Sequence, residues 1–315
     1  MKPEEGRIDA QKFWKMKKKL FPKSRDPPSA MLDKDGNMLT TDAAIEKRAL
    51  EVYSQRLKAN DIPEHLKSYE ETNNKLCHER LKETRQNKTN QWSMEELEEP
   101  IKDLGNNKSR DALQYANELF KEGVAGTDLK LALLKFMNLI KDKQQYPEIL
   151  ENCNISSLYK HKGSHKDFNN YRGVFRVTVF RSILDRLIYN DNYHIIDDNL
   201  TDGNVGARKN RNIRDNIFVL SAVTNSVVNG YENPVQIQIQ DAVKCFDKLW
   251  LEETTNYLYE AGLKTDMLNL LYMENKRAQV AIKVNGNLTK RINVYNVELQ
   301  GSVWGASSAL LQWTN

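Results

Sequence analysis

The stretch VQIQIQDAVKCFDKLW (235–250) decides the fold class of this chain. Its first half alternates apolar residues with glutamines, which is the period of a half-buried β-strand. Asp241 stays in register with the apolar set, so we expect it at the end of the strand on the apolar face. A carboxylate there is costly unless it is compensated, and Mg²⁺ is one compensation. The alternative is an ordinary strand-end aspartate that faces solvent or caps the next turn.

Two hairpin turns flank this stretch in the sequence. Asn285-Gly286 separates AQVAIKV from RINVYNVEL, which is a strong hairpin pattern. Near the start, MLDKDGNML (31–39) predicts a second hairpin around Asp35-Gly36. Helical patterns lie between and beside these strands, and this mixture indicates an α+β architecture.

The helical segments are predicted from apolar spacing and from capping residues. They comprise the helix with Ile45, Ala49, Val52, Tyr53 and Leu57 on one face, the helix that Ser93 and Glu96 start with a capping box, the helix that Thr127 and Asp128 open, with Leu129, Leu133, Phe136, Met137 and Ile140 as its stripe, the helix with Ile213, Ile217, Leu220, Thr224 and Val227, ended by Asn229-Gly230, and a helix over roughly 251–274.

Three further features are expected to interrupt the helices. An interior proline costs about 3 kcal/mol, so the helix after Ser93 should bend or end at Pro100. Residues 70–91 are almost wholly polar, which predicts a linker or a long exposed loop. Asp197-Asp198 is expected to lie in a surface turn.

The composition is that of a globular protein with a slight preference for anionic partners. The 315 residues include 39% hydrophobic ones and carry a net charge of +4, which permits nucleic-acid binding without demanding it. The beginning of the chain has no signal-peptide pattern, and no apolar run reaches membrane length. We therefore expect a protein of the cytoplasm or nucleus that has no membrane partner.

A zinc site is not expected. The three cysteines form no CxxC pair, and His161 and His165 lack a second cysteine at a suitable spacing from Cys153. The basic run KFWKMKKKL (12–20) has two open interpretations: a nuclear-import or nucleic-acid-binding arm, or one polar face of a helix.

DAVKCFDKLW (241–250) resembles motif A of the reverse transcriptases of non-LTR (LINE-type) retrotransposons. The resemblance implies that Asp241 is catalytic and binds the Mg²⁺ (or Mn²⁺) ions. It also implies that Phe246 lies under the sugar of the incoming nucleotide and excludes a 2′-hydroxyl group.

LQGSVWG (299–305) resembles motif B of the same family. The resemblance implies that Gln300 contacts the template strand or the nucleotide, and that Gly301 allows a close approach of the backbone. Family members carry a further aromatic-x-Asp-Asp hairpin a few dozen residues after motif B, and this sequence, which ends at Asn315, is too short to include that signature.

Two basic segments upstream complete the resemblance. ISSLYKHKGSHKDFNNYRGV (155–174) is similar to the fingers segment of the family, which implies that Lys160 or Lys162 and Arg172 contact the template or the triphosphate. Arginine offers phosphate a bidentate fork and lysine a point charge. The alternative is that these are ordinary exposed basic residues.

NVGARKNRNIRDNIFVL (204–220) is similar to the segment that joins fingers to palm. Its basic residues either follow the template backbone or form a solvated helix start. This connector cluster consists of Arg208, Lys209, Arg211 and Arg214.

The resemblance, which runs from about residue 31 to 305, implies a right-hand polymerase fold: fingers and a partial palm, an antiparallel sheet with packed helices, preceded by a mostly helical N-terminal extension. The expected divisions are 1–92 for that extension and its linker, 93–234 for the fingers and 235–315 for the partial palm. The implied activity is RNA-directed DNA polymerisation, with an RNA template, a DNA primer and dNTPs as partners. The alternatives are a non-catalytic RNA- or DNA-binding remnant and a remnant without function.

Overall fold

The computed structural model describes residues 30–58, 62–121, 126–206, 208–230, 236–239, 249–295 and Trp304. These residues form an α+β fold, as the sequence predicts. In that part of the chain, no helix is both long enough and apolar enough to cross a membrane. The elements, in chain order, are β1 (Met31–Leu32), β2 (Met38–Leu39), α1 (Asp42–Leu57), α2 (Lys67–Thr84), α3 (Met94–Asp103), α4 (Thr127–Lys143), α5 (Glu148–Glu151), β3 (Asn152–Tyr159), β4 (Tyr171–Arg176), α6 (Val179–Asp198), α7 (Ile213–Val228), α8 (Leu251–Ala261), α9 (Asp266–Lys276), β5 (Gln279–Val284), β6 (Asn287–Leu288) and β7 (Ile292–Asn293).

The main sheet has the order β4-β3-β5-β6, and β7 also pairs with β5. β3 and β4 are antiparallel, whereas β3 and β5 are parallel. The expected antiparallel sheet is therefore present except at this one parallel pair of the described strands. A parallel pair needs a long crossover, and residues 160–278, which include four helices, supply it.

Both predicted hairpins are confirmed. Asn285 and Gly286 have positive φ angles of 48° and 90°, which a two-residue turn between twisted strands requires. In the first hairpin, the Asp33 carboxylate accepts hydrogen bonds from the backbone amides of Asp35 and Asn37 and so holds the turn between β1 and β2.

Helix α1 covers one face of the main sheet. The Thr41 hydroxyl caps its first turn by accepting from the amide of Ala44. The five residues that the sequence places on its apolar face are all buried, in a core shared with Ile155 and Ile282 of the sheet. Burial of this stripe fixes the helix on the sheet, since each large apolar side chain contributes roughly 1.5–3 kcal/mol.

A second core lies among helices α2, α3, α4, α6, α8 and α9. Helix α2 corrects the prediction of a linker or loop over residues 70–91. Only Cys77, Leu81 and Thr84 of α2 are buried, so its apolar pattern is weak. Side-chain hydrogen bonds to α8 hold it instead, among them Arg80 to Glu260 at 2.8 Å.

Four other expectations need correction. Helix α3 continues past Pro100 to Asp103, and the segment 251–274 is two helices because Gly262, with a φ of 120°, ends the first. Asp197 lies in the last turn of helix α6 and not in a surface turn. Residues 236–239 form no strand, and Ile237 and Ile239 are 51% and 91% exposed.

The helices predicted at Ser93, Thr127 and Ile213 are present. The capping box of Ser93 and Glu96 is complete. Helix α4 buries Leu133, although Leu129 of the predicted stripe is exposed. Helix α7 buries none of its residues, so its predicted apolar face has no cover among the described residues.

Candidate nucleic-acid interface

One face of the main sheet carries basic residues on two strands, β4 and β5, which flank β3. Strand register puts Arg172 opposite Leu158, Val174 opposite Ser156, and Arg176 opposite Asn154. Side chains alternate across a strand, so these even-numbered residues of β3 and β4 share the face opposite to helix α1. The parallel pairing of Ser156 with Lys283 adds a lysine from β5 to it. We call the set Arg172, Arg176 and Lys283 the basic sheet face.

The three cations are spaced across a surface that one nucleic-acid backbone can cover. Arg172 and Arg176 lie four residues apart on one strand, which corresponds to about 13 Å. Lys283 lies two strands from Val174, which corresponds to about 10 Å. Within the described residues, none of the three has a carboxylate within ion-pair distance. Their charge is therefore available to an anionic partner.

The loop between β3 and β4 is ordered by its own hydrogen bonds. Gly163 has a φ of 74°, and a side chain there would clash with Asn170, whose amide donates to the carbonyl of Ser164 at 2.8 Å. Lys160 donates from Nζ to the carbonyl of Asn169 at 3.3 Å. Lys162 is exposed and has no ion-pair partner among the described residues. Of the two lysines, Lys162 thus presents the freer charge.

In the connector cluster, Arg208 is part of the fold. Its Nε atom donates to Asp197 Oδ1 at 2.7 Å, and its other nitrogens donate to the carbonyls of Thr201, Asn204 and Asp197. The side chain is only 5% exposed. The Arg208 guanidinium, by hydrogen bonding, holds the pKa of Asp197 below its ordinary value. Arg208 therefore binds the C-terminal end of helix α6 and stabilises it.

The other members of the connector cluster are more exposed. Lys209 places Nζ 5.0 Å from the centre of the Tyr193 ring, a cation–π contact. Arg211 pairs with Asp202 at 3.1 Å in an exposed ion pair, which contributes little to stability. Arg214 is exposed in the first turn of α7. The predicted role of these residues on a template stays a prediction.

Asp241, Phe246, Gln300 and Gly301 lie outside the described residues. Within the motif-B-like segment 299–305, the described residue is Trp304, which is buried and donates from Nε1 to the carbonyl of Asp185 at 3.2 Å. No three acidic, histidine or cysteine side chains come together within the described ranges. The role of Asp241 as a metal ligand stays a prediction.

A buried ionic cluster lies between helices α6 and α9. Arg181, on helix α6, donates from Nε to Glu274 at 2.5 Å, and neither side chain is accessible to more than 3%. Burial alone would lower the pKa of Arg181, but the Glu274 carboxylate raises it above its ordinary value. Burial, together with the Glu274 carboxylate, raises the pKa of Asp185 well above its ordinary value. The raised pKa favours the neutral form of the Asp185 carboxyl group beside the Arg181–Glu274 pair.

Sequence reasoning missed Arg176 and Lys283. The alternation in YRGVFR (171–176) was a usable signal for Arg176, because residues two apart in a strand share a face. Lys283 had no local signal, since its place beside Ser156 depends on the parallel pairing of distant strands.

Neither a protein-family model nor a curated protein matches this chain.

Proposed function

We propose that this chain is part of the reverse transcriptase of a non-LTR retrotransposon, and that the hairpin of β3 and β4 is the part of its fingers that binds template and primer. One observation carries the proposal: the segment whose sequence resembles the fingers folds as a hairpin, and the arginines on its outer face have no carboxylate partner among the described residues. Free basic residues on one surface are the electrostatic feature that nucleic-acid binding requires.

Chemical character of the basic sheet face supports a nucleic acid more than an acidic protein. Arg172 and Arg176 each offer a planar fork of donors that matches phosphate oxygens. Ser156, between the charged residues, adds a hydroxyl that is half-exposed. Leu158 is 56% exposed on the same face and gives a base or sugar an apolar contact.

In the proposed polymerase, Asp241 would bind Mg²⁺, which would bring the chemistry of phosphoryl transfer to the primer 3′-hydroxyl. The contribution of the described residues is to bind and orient. The basic sheet face holds the sugar–phosphate backbone, and Lys162 adds a positive charge at the tip of the hairpin.

The first test is binding of a fluorescent DNA primer annealed to an RNA template, measured by anisotropy at increasing salt concentrations. If the three cations of the basic sheet face each contact a phosphate, the logarithm of the association constant should fall with the logarithm of salt concentration with a slope of about −2 to −3. Absence of binding at low salt, or binding with a slope near zero, would contradict the proposal.

Primer extension tests whether this chain has polymerase activity of its own. The full chain is given the same primer–template with dNTPs and Mg²⁺, beside the matched variant Asp241→Asn. Extension by the unmodified chain and not by the variant supports the polymerase. Salt-dependent binding without extension is expected of a non-catalytic nucleic-acid-binding remnant, and also of a polymerase fragment without the aromatic-x-Asp-Asp carboxylates.

A further inference from the structure

The N-terminal segment 30–57 holds the loop that precedes Arg172 by hydrogen bonds. Arg56, near the end of helix α1, donates from Nη1 to the carbonyl of Tyr171 at 2.9 Å and from Nη2 to the carbonyl of Phe168 at 2.8 Å. The amide of Leu32, in β1, donates to the carbonyl of Lys166 at 2.8 Å. Three carbonyls within six residues of the loop thus accept hydrogen bonds from one upstream segment.

Helix α1 also supports the strands on both sides of that loop. The hydroxyl group of Tyr53 lies 2.8 Å from Oγ of Ser157 in β3. Its ring packs against the bare backbone of Gly173 in β4, where a Cβ atom would lie 2.9 Å from a ring carbon. These contacts fix the relative position of β3 and β4 around the loop.

One of these hydrogen bonds is made to the residue directly before Arg172, a cation of the basic sheet face. Tyr171, whose carbonyl Arg56 binds, is followed directly by Arg172. Both terminal nitrogens of Arg56 are occupied by backbone carbonyls, and the guanidinium lies over the Tyr53 ring, 5.1 Å from its centre. Arg56 is on the α1 side of the sheet, so it is not itself a member of the basic sheet face.

We infer that Arg56 is a positioning residue for nucleic-acid binding: it holds the β3–β4 loop in the conformation that presents Lys162 and Arg172 to the phosphate backbone. This inference rests on the proposed function. It also makes the segment 30–57 a support of the interface and not a separate extension.

The test uses the full chain with Arg56→Ala and, as the matched control, Lys47→Ala. Lys47 is an exposed cation on the same helix, so its variant loses the same charge without touching the loop. Two quantities are measured: hydrogen exchange of the backbone amides over residues 158–176, and the affinity for the labelled primer–template with its salt slope.

For Arg56→Ala we expect faster exchange in the loop and an affinity that is roughly three- to tenfold lower, with an unchanged salt slope. An unchanged slope distinguishes positioning from direct contact, because the loss of a phosphate contact makes the negative slope shallower by about 0.7 to 0.9. Lys47→Ala should change neither quantity. Arg56→Lys, which retains one donor group, should recover part of the affinity, and melting curves identify any variant that is globally unfolded.

The outcomes keep this inference apart from the proposed function. If hydrogen exchange in the loop is unchanged in Arg56→Ala, Arg56 does not hold the loop, whatever the affinity. Faster exchange with unchanged affinity, or a reduced salt slope, overturns the positioning role. If the unmodified chain binds no nucleic acid, the proposed function fails and the binding half of the inference falls with it, while hydrogen exchange still decides whether Arg56 holds the loop.

Discussion

Arginines occupy two contrasting environments in this protein. Among the helices, Arg181 is fully buried, the Arg208 side chain is only 5% exposed, and each binds a carboxylate. On the outer face of the sheet, Arg172 and Arg176 have no carboxylate partner among the described residues. The residue type is the same, and the sequence resemblance singles out one member of each group, Arg172 and Arg208.

The contrast shows which positive charges a ligand can use. A buried arginine has already lost its hydration and regained that energy from fixed oxygens, so withdrawing it leaves uncompensated groups behind. An exposed and unpaired arginine costs the fold little and keeps its donors for an anion. Basic residues should therefore be divided by their partners before a binding role is assigned to them.

Arg181→Ala is expected to have the largest effect on stability. The substitution leaves Glu274 buried without its cation, and removing one partner of a buried pair costs roughly 3–5 kcal/mol. Urea unfolding of the variant beside Arg172→Ala measures the difference. A loss of similar size in both variants would erase the distinction between the two environments.

The double variant Arg181→Met/Glu274→Leu sharpens this result. It removes both charges, and apolar replacement of a buried pair is often neutral or stabilising. It should recover part of the stability that Arg181→Ala loses. If the double variant is as unstable as the single one, packing around Arg181 and not the unpaired charge explains the loss.

Arg208→Ala should cost less, roughly 1–3 kcal/mol, because it loses hydrogen bonds at the C-terminal end of helix α6. Arg214→Ala, in the same connector cluster, should change stability by no more than about 0.5 kcal/mol. Thermal melting compares the two. Equal effects would mean that the pairing of Arg208 with Asp197 contributes nothing to the fold.

Local sequence patterns predicted the elements whose cause is local. Helix α1 was predicted with its five buried residues because its apolar stripe has the helical period. The turn at Asn285-Gly286 was predicted because those residues adopt positive φ angles at little cost. Glu96 and Ser93 close their capping box within four residues.

The features that sequence reasoning missed have distant causes. Helix α2 is polar, and contacts such as Tyr259 to Glu83 at 2.8 Å, which join residues far apart in the chain, hold it in place. Lys283 joins Arg172 on one face only through a parallel pairing that no local pattern encodes. Arg208 and Arg172 are likewise indistinguishable in the sequence. Only the structure shows that Arg208 pairs with Asp197 and that Arg172 has no carboxylate partner among the described residues.

Asp185→Asn tests the electrostatics of the buried cluster. The pKa of Asp185 is raised from its ordinary value of 3.8, so the folded protein holds a proton that the unfolded chain releases. Stability is therefore lost as pH rises from about 3.8 towards the folded-state pKa, by at most about 1.4 kcal/mol per pH unit. Asparagine does not titrate, so the free energy of unfolding of the variant should increase relative to that of the unmodified protein as pH rises. Urea unfolding at several pH values measures this, and a constant difference between the two would show that Asp185 is ionised in the fold.

The smallest effect on stability, and the most specific one on binding, is expected at the edge of the basic sheet face. Lys283→Ala should leave the free energy of unfolding within about 0.5 kcal/mol of the original, since the side chain is exposed and unpaired among the described residues. It should nevertheless reduce the magnitude of the salt slope of nucleic-acid binding by about 0.7 to 0.9. Lys290→Ala is the matched control, an exposed lysine between β6 and β7 that does not belong to the basic sheet face. If both lysines change the slope equally, the response reflects net charge; if only Lys283 does, the parallel pairing of β3 with β5 has placed it against the phosphate backbone.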